Sequence, residues 1–319
     1  MTKKTILITG VSGEIGFKLA KHLSKDKNNI IIGIDLQHPK EEINTSINHF
    51  YKIDILNQEK INKIFIQHPI KEIYHLAALL STNASKKPFL AHDINVNGTL
   101  NLLRSAQTHF QTYNKRIKIF FPSSIAVYGI KNKNQTIVNE NECLHPYTIY
   151  GINKLYCENI GQYFSPTTID FRSLRLPGII STETIPTGGT SDFAPEMLHA
   201  IFSGKNYTCF VNKKSCLPFM SMDQAIKAII KIMGCKENRL SQRIYNVKSF
   251  SISAQYIEEQ IKQYFDQATI QYEPNQPRQA IVDSWPDNIN DDLAKHDWGW
   301  NPNPDFNSSI IDGFLKKYK

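Results

Sequence analysis

The sequence predicts an α/β protein with a doubly wound parallel sheet and a smaller, mixed α/β C-terminal lobe. Short β-type runs alternate with helical segments over about the first 180 residues, the pattern of a parallel sheet covered by helices on both faces. A stretch rich in Gly, Pro, Ser and Thr interrupts this pattern at residues 181–192. We therefore expect two domains, residues 1–180 and residues 181–319, the second partly interleaved with the first.

The individual elements follow from hydrophobic runs and from the turns between them. Helices are predicted to begin near Gly13, Asn57 and Pro88, and a longer one covers residues 147–164. Two helices of the second half are predicted at residues 194–202 and 223–233. The predicted strands cover residues 5–9, 30–35, 49–53, 72–77, 118–122 and 168–176. Because parallel strands end at one edge of the sheet, a ligand crevice is expected at their carboxyl ends.

Charge and composition exclude several classes of protein. The 319 residues include 37 basic and 29 acidic ones, a net charge of +8, but the lysines form scattered pairs rather than one basic stripe. We therefore expect a solvated surface and no nucleic-acid partner. No apolar run approaches the length of a membrane span, and residues 1–10 lack the long apolar core of a signal peptide. We expect a cytoplasmic protein with no membrane contact.

The cysteines and histidines give no sign of a disulfide framework or a metal site. The five cysteines are odd in number, widely spaced and never arranged as C-x-x-C. The ten histidines include no H-E-x-x-H pair. We expect metal-independent chemistry.

A glycine-rich turn, Gly10-Val-Ser12-Gly13-Glu14-Ile15-Gly16, follows the first predicted strand directly. Glycines at such a turn let a pyrophosphate approach the backbone, and the following helix start offers free N–H groups and a partial positive charge. Tight β-α turns of other kinds are also glycine-rich, so the motif alone is weak. In this position it predicts a dinucleotide site formed by Gly10, Ser12, Gly13, Glu14, Ile15 and Gly16.

Asp35 ends the second predicted strand, 19 residues beyond Gly16. A carboxylate there hydrogen-bonds the ribose hydroxyls and repels a 2′-phosphate, which favours NAD over NADP. Neither Leu36 nor Gln37 adds a cation beside it, although His38 and Lys40 follow. The less favoured alternative is a surface Asp that merely ends the strand. Further cofactor contacts are expected where the third and fourth strands end, at Asp54, Ile55, Leu76, Ala77 and Ala78, although ordinary packing explains the alanines equally well.

Tyr150 and Lys154 form a Y-x-x-x-K pair on the helix predicted over residues 147–164. Their i,i+4 spacing brings the phenol and the ammonium to one face, although such pairs also arise by chance. One cation at ~4 Å in an effective dielectric of ~20 stabilises a phenolate by about 4 kcal/mol, before desolvation opposes it. We expect Lys154, together with an oxidised nicotinamide ring, to make Tyr150 a general base near neutral pH.

Two serines, Ser123 and Ser124, follow the strand at residues 118–122. A hydroxyl there could hold a substrate oxygen while Tyr150 removes its proton. Taken alone, Ser-Ser after a strand is more often turn chemistry.

Together, G-x-x-G-x-x-G, the Asp after the second strand, HLAA, SSIAVYG and Y-x-x-x-K resemble the extended short-chain dehydrogenase/reductase family along the whole chain. The resemblance implies a Rossmann-type fold, bound NAD, and the base, tuning and hydroxyl-positioning roles for Tyr150, Lys154 and Ser124. It also implies that Asn95 supports a proton relay and that Ile180 contacts the cofactor. Ser123 is the less favoured hydroxyl.

The C-terminal half resembles the threonine-oxidising members of that family. The matching segments are residues 75–81, 175–181, 186–194, 217–223, 278–286 and 297–300. The resemblance implies NAD-dependent oxidation of L-threonine to 2-amino-3-oxobutanoate, with residues 181–192 as a lid. It implies substrate contacts at Ser81, Ser124, Tyr150, Thr190 and Trp285, although Ser81 could simply cap a helix and Trp285 could belong to the core. Family members commonly dimerise, so a homodimer is expected.

Two other functions share parts of this pattern. A nucleotide-sugar 4-epimerase or dehydratase would use the same catalytic core and the same NAD. It would also need a second pyrophosphate site with well-placed cations, and residues 195–275 hold only Arg239 and Arg243 as arginines. A non-catalytic NAD sensor would be expected to lack Tyr150 or Lys154, and both are present. Thr187 stands where the family pattern has a glycine. A β-carbon there restricts φ, so the family pattern does not determine the conformation of the lid.

Overall fold

A computed structural model describes residues 3–130, 137–186 and 188–318. Thr187, the position in the predicted lid where the sequence departs from the family pattern, lies outside the described residues. The strands are β1 Lys4–Thr9, β2 Asn29–Asp35, β3 His49–Lys52, β4 Ile70–His75, β5 Ile117–Ser124, β6 Ile137–Val138, β7 Ile169–Leu176, β8 Gly178–Ile180, β9 Tyr207–Cys209, β10 Cys216–Ser221, β11 Ile244–Asn246, β12 Phe250–Ser253, β13 Ile270–Tyr272 and β14 Asn288–Ile289.

The helices cover both faces of the sheet and much of the second lobe. Single turns of other helix types occur at Asp93–Asn97, Ile125–Val127, Glu237–Arg239 and Asn307–Ile311. The α-helices are α1 Glu14–Leu23, α2 Glu41–Asn44, α3 Gln58–Gln67, α4 Ser81–Lys86, α5 Pro88–His92, α6 Gly98–Tyr113, α7 Ile149–Phe164, α8 Phe193–Phe202, α9 Met222–Gly234, α10 Ala254–Lys262, α11 Gln276–Asp283, α12 Asp292–Trp298 and α13 Asp312–Tyr318.

The central sheet has seven parallel strands in the order β11-β7-β5-β4-β1-β2-β3. The chain starts in the middle of the sheet, adds strands to one side through β3, and then returns to add strands on the other side. This is the doubly wound arrangement, and it confirms the predicted fold class. Its topological switch point lies between β1 and β4, so the carboxyl ends of these strands open onto a crevice.

Alternate residues along the strands supply the two faces of this core. Ile6 and Ile8 pack with α1 and α9 on one face, whereas Leu7 and Ile32 pack with α3 and α6 on the other. A third apolar cluster fills the C-terminal lobe, including Phe193, Met197, Phe219 and Phe314. Each cluster excludes water from one layer of the fold, and together they hold the strand ends rigidly around the crevice.

The second half of the chain contributes to both parts of the molecule. Ile244–Asn246 pairs with Ser173–Arg175 as the outermost strand of the main sheet. Helix α9 packs on β5, β7 and α1. The short sheet β12-β10-β8 and the pairs β13-β9 and β14-β6 belong to the lobe that faces the crevice.

Candidate functional site

A cleft of about 780 Å³ lies at the carboxyl ends of the central strands, between the glycine-rich turn and the C-terminal lobe. Ordered secondary structure positions most of its wall, because the residues lie at strand ends or at helix starts. The sequence-predicted residues that line it are Gly10, Ser12, Gly13, Glu14, Ile15, Gly16, Asp35, Leu36, Asp54, Ile55, Leu76, Ala77, Ala78, Ser81, Ser124, Tyr150, Lys154, Thr190 and Trp285.

The glycines of the glycine-rich turn let it pack closely on the neighbouring backbone. Gly10 has φ +68°, and a Cβ there would lie 2.7 Å from the backbone nitrogen of Ala77. A Cβ on Gly16 would lie 2.3 Å from the carbonyl oxygen of Gly10. No side chain caps the start of α1 at Gly13, so backbone N–H groups face the cleft. This cradle fits a dinucleotide pyrophosphate.

Asp35 both braces this turn and faces the cleft. One carboxylate oxygen accepts a hydrogen bond from Ser12 N at 3.0 Å, and the other accepts one from Gln37 N at 3.1 Å. Each oxygen retains a further lone pair, which is the acceptor capacity that two ribose hydroxyls require.

Two of the predicted cofactor contacts lie behind the cleft wall rather than in it. The Asn95 side chain is buried, accepts a hydrogen bond from Leu79 N at 2.7 Å and donates one to Leu79 O at 3.0 Å. Ile180 is buried in the apolar core of the C-terminal lobe, because alternation along β8 points it away from the cleft. Asn95 therefore fixes the segment after β4 from behind.

Tyr150 and Lys154 lie on one face of α7, which starts where Thr148 Oγ1 accepts a hydrogen bond from Gly151 N at 3.1 Å. The Lys154 ammonium is buried and donates to the Pro122 carbonyl at 2.6 Å. It lies 5.5 Å from the centroid of the Tyr150 ring. The i,i+4 spacing thus brings the two groups into one part of the cleft.

Burial shifts the pKa values of both groups in the protein without cofactor. Burial lowers the pKa of Lys154 to about 8. Burial also raises the pKa of the half-buried Tyr150 above its ordinary value. Lys154 alone is therefore not enough to make Tyr150 a base near neutral pH, because desolvation of the phenolate outweighs the attraction.

The two serines differ in their hydrogen bonding. Ser124 Oγ accepts a hydrogen bond from Ala126 N at 3.2 Å and keeps its own proton free to donate. Ser123 Oγ is buried and has no hydrogen-bond partner among the residues that the structure describes. Both serines line the cleft, but only the Ser124 side chain is partly exposed, which makes Ser124 the better placed hydroxyl.

His75 is a buried residue near the site that the sequence reasoning did not single out. Its Nδ1 lies 2.8 Å from Thr9 Oγ1, and its Nε2 lies 2.9 Å from Thr99 Oγ1. Burial lowers the pKa of His75 to about 3, so the ring is neutral. It links the ends of β1 and β4 to α6. The sequence signal for His75 was its place as the first residue of the HLAA motif. A single histidine at the end of a strand gives no further indication of its role.

The wall of the cleft also contains buried, neutral polar side chains. Trp285 and Thr190 are buried, and Trp285 Nε1 has no partner within the described part of the chain. Lys154 is the single cation among the described residues that line the cleft. The acidic residues of the lining are Glu14, Asp35, Asp54 and Asp192.

The described residues form neither a metal-ligand cluster nor a helix that could span a membrane. In residues 3–130, 137–186 and 188–318, no three His, Cys, Asp or Glu side chains converge as a metal site would require. Over the same ranges, none of the helices combines the length and the apolar character needed to cross a bilayer.

Comparisons with known proteins cover both halves of the chain. The model of the NAD dependent epimerase/dehydratase family matches residues 6–247. An uncharacterised epimerase/dehydratase of Staphylococcus haemolyticus is 35% identical over 303 residues, which is 94% of this chain and 93% of that protein. The mitochondrial L-threonine 3-dehydrogenase of Bos taurus is 33% identical over 303 residues, which is 93% of this chain and 78% of that protein.

A solved structure is also similar to this chain along its length. The apo form of a monomeric L-threonine 3-dehydrogenase from a metagenome has a TM-score of 0.85 and 37% sequence identity, and the match covers 98% of each chain. The similarity therefore includes the C-terminal lobe as well as the sheet that carries the glycine-rich turn.

Proposed function

The chain belongs to the NAD dependent epimerase/dehydratase family, and from this we propose that it oxidises L-threonine to 2-amino-3-oxobutanoate with NAD as the oxidant. The resemblance based on the glycine-rich turn, Tyr150 and Lys154 is thereby confirmed for the family. Membership of the family supports an NAD-dependent enzyme, and the identity of the substrate is what we propose here.

The observation that carries this proposal is the charge of the cleft lining. A sugar nucleotide brings a second diphosphate, which proteins hold with Arg or Lys. Lys154 is the single cation among the described lining residues, and it lies beside Tyr150. A small zwitterion with a hydroxyl needs no such cation. The neutral groups of Ser81, Thr190 and Trp285 suit it better.

The proposed reaction moves one proton and one hydride from the same C–O group. Tyr150, as the phenolate, takes the proton of the β-hydroxyl, and Ser124 donates its free proton as a hydrogen bond to the same oxygen. A bound NAD would supply the acceptor for the hydride of the β-carbon and would add a positive charge to the site. That second charge explains how the raised pKa of Tyr150 could be overcome.

The remaining residues would hold the ligands. The Gly10–Gly16 turn and Asp35 would bind the cofactor, and Lys154 would donate to its ribose while keeping its bond to Pro122 O. The unpartnered indole N–H of Trp285 would donate to the substrate carboxylate. Each of these roles uses a donor or acceptor that is free in the structure.

The test is NADH formation, followed by its absorbance, when the purified protein is given NAD and L-threonine in the presence of EDTA. L-Serine, L-allo-threonine and UDP-sugars are each tested separately as alternative substrates. The Tyr150→Phe variant is the matched control. We expect chelator-resistant NADH formation that depends on L-threonine and is lost in the control. An epimerase or dehydratase returns the hydride to the sugar and leaves no net NADH, so conversion of the UDP-sugars is followed separately by chromatography of the products. A converted UDP-sugar with no response to L-threonine would replace this proposal with the 4-epimerase or dehydratase reading.

A further inference from the structure

Two side chains from opposite walls of the cleft hold neighbouring carbonyl groups of the 181–192 segment. Thr82, in α4, donates through Oγ1 to the Gly188 carbonyl at 2.5 Å. Arg278, in α11, donates through Nη2 to the Gly189 carbonyl at 2.6 Å. Gly188 and Gly189 directly precede Thr190, which is buried in the wall of the cleft.

Both donors are themselves held in position. Thr82 follows Ser81 at the start of α4, where it also lines the cleft. The Arg278 guanidinium packs on the ring of Phe210 and lies 3.9 Å from the Glu196 carboxylate. Glu196 in turn accepts a hydrogen bond from the Tyr207 hydroxyl at 2.9 Å. The Arg278 donor is therefore oriented by the C-terminal lobe, whereas the Thr82 donor belongs to the cofactor-binding domain.

The backbone between these two contacts has a defined shape. Gly188 has φ +91°, a left-handed conformation that side chains rarely adopt, and Gly189 N donates to the Asp192 carboxylate at 2.5 Å. With the carbonyls of Gly188 and Gly189 and the N–H of Gly189 all bonded, Thr190 has little freedom to move. The clamp, defined here as Thr82 and Arg278, thus sets the position of Thr190.

We propose that the clamp holds residues 188–192 at the wall of the cleft and positions Thr190 for contact with the substrate, so that Thr82 and Arg278 are positioning residues for the proposed oxidation. This inference rests on the proposed function for its kinetic consequence. Its structural part, the restraint of the segment, stands apart from the substrate.

The first test measures hydrogen exchange of the amides of residues 188–192 in the cofactor-free protein by mass spectrometry. Thr82→Val removes the hydroxyl and keeps the shape of the side chain, and Thr82→Ser keeps the hydroxyl. Thr112→Val is the matched control, because the exposed Thr112 also donates to a carbonyl, that of Thr108, far from the cleft. We expect exchange several-fold faster in Thr82→Val and unchanged in the other two. Equal exchange in all four proteins would overturn the clamp.

The second test measures kinetics and cofactor binding in the same variants and in Arg278→Lys. We expect the KM for L-threonine to rise about three- to tenfold in Thr82→Val and Arg278→Lys, the usual effect of losing one hydrogen bond. NAD affinity by calorimetry should stay unchanged, and Thr82→Ser should restore the KM. Unchanged KM values beside faster exchange would overturn the positioning role. An unsubstituted enzyme that leaves L-threonine unoxidised would instead overturn the proposed function, and the exchange test would still decide the clamp.

Discussion

At the scale of single residues, Tyr150 carries the proton transfer of the proposed reaction. Tyr150→Phe keeps the ring and removes the proton acceptor, so we expect kcat to fall by about two to four orders of magnitude. NAD affinity should stay within about twofold, because the glycine-rich turn and Asp35 are untouched. Steady-state kinetics and calorimetric titration with NAD measure the two effects. Retained turnover would remove Tyr150 from the mechanism.

Lys154 illustrates a cost of function in the unliganded protein. Its pKa is about 8 in the folded state and its ordinary value is 10.5, so burial of the charged form destabilises the fold below pH 8. We expect Lys154→Met to raise the free energy of unfolding by about 1–3 kcal/mol at pH 7. This gain should disappear as the pH rises from 8 to 10.5, because the folded wild type then loses its proton first.

Chemical denaturation of both proteins across this pH range measures the gain. Lys60→Met, at an exposed position of α3, is the control and should show no such pH dependence. A Lys154→Met variant that is less stable than the wild type at pH 7 would contradict the prediction.

We expect the preference for NAD over NADP to depend on Asp35. In Asp35→Ala combined with Leu36→Arg, the repelling carboxylate is lost and a cation is added at an exposed position beside the cleft. We expect the ratio of kcat/KM for NAD to kcat/KM for NADP to fall at least tenfold. Leu36→Arg alone is the control for the added charge. An unchanged ratio in the double variant would assign the preference elsewhere.

At the scale of elements, the start of α7 determines where Tyr150 lies. Thr148 Oγ1 accepts from Gly151 N, and Thr148 is buried. Thr148→Ala removes this cap and should lower the free energy of unfolding by about 1 kcal/mol, whereas Thr148→Ser should retain most of it. Denaturant titration measures both. Equal stability of the Ala and Ser variants would show that the hydroxyl is dispensable.

Elements with a regular apolar pattern could be predicted from the sequence, and those that depend on distant partners could not. The run predicted at residues 30–35 appears as Asn29–Asp35, and the one at 168–176 appears as Ile169–Leu176. By contrast, Ile244–Asn246 is too short to show a pattern and becomes a strand only by pairing with β7.

The burial of charged residues inside a strand could not be predicted from the sequence either. Asp170 and Arg172 alternate along β7 as if they faced solvent, yet both are buried. Arg172 pairs with Asp170 at 2.7 Å and donates to the Cys235 carbonyl at 2.7 Å, just beyond the end of α9. This arrangement needs a helix about 60 residues further along the chain, which local periodicity does not report.

In the candidate site too, some residues could be predicted from local sequence, whereas others depend on distant partners. The places of Gly10 and Asp35 in the cleft could be predicted because each lies at the end of a strand, and that of Lys154 because it lies one helical turn beyond Tyr150 on α7. Thr82 and Arg278 could not, because their partners are backbone carbonyls of Gly188 and Gly189, and a carbonyl leaves no mark in the sequence.

At the scale of the whole molecule, an apolar stripe on α7 supports the proposal of a homodimer. Ile152, Tyr156 and Tyr163 follow helical spacing on the outer face and remain 49%, 45% and 74% exposed. Phe89, on the adjacent α5, is 86% exposed. We expect a dimer by light scattering at micromolar concentration, and a monomer in Tyr163→Glu.

The matched control for that substitution is Ile66→Glu, which changes an exposed apolar residue of α3. It should leave the dimer intact. A monomeric unsubstituted protein would contradict the proposal and would resemble the related threonine dehydrogenase that was solved as a monomer.

The position of β11 limits how this fold can be recombined. The last strand of the cofactor-binding sheet is supplied by residues 244–246, between segments that build the other lobe. A chimera that joined residues 1–180 to the second half of a relative would therefore exchange a sheet edge and its covering helix α9 along with the substrate end of the cleft. Changing the substrate specificity of this fold therefore requires the replacement of several separate short segments. No single continuous stretch of the sequence contains the C-terminal lobe alone.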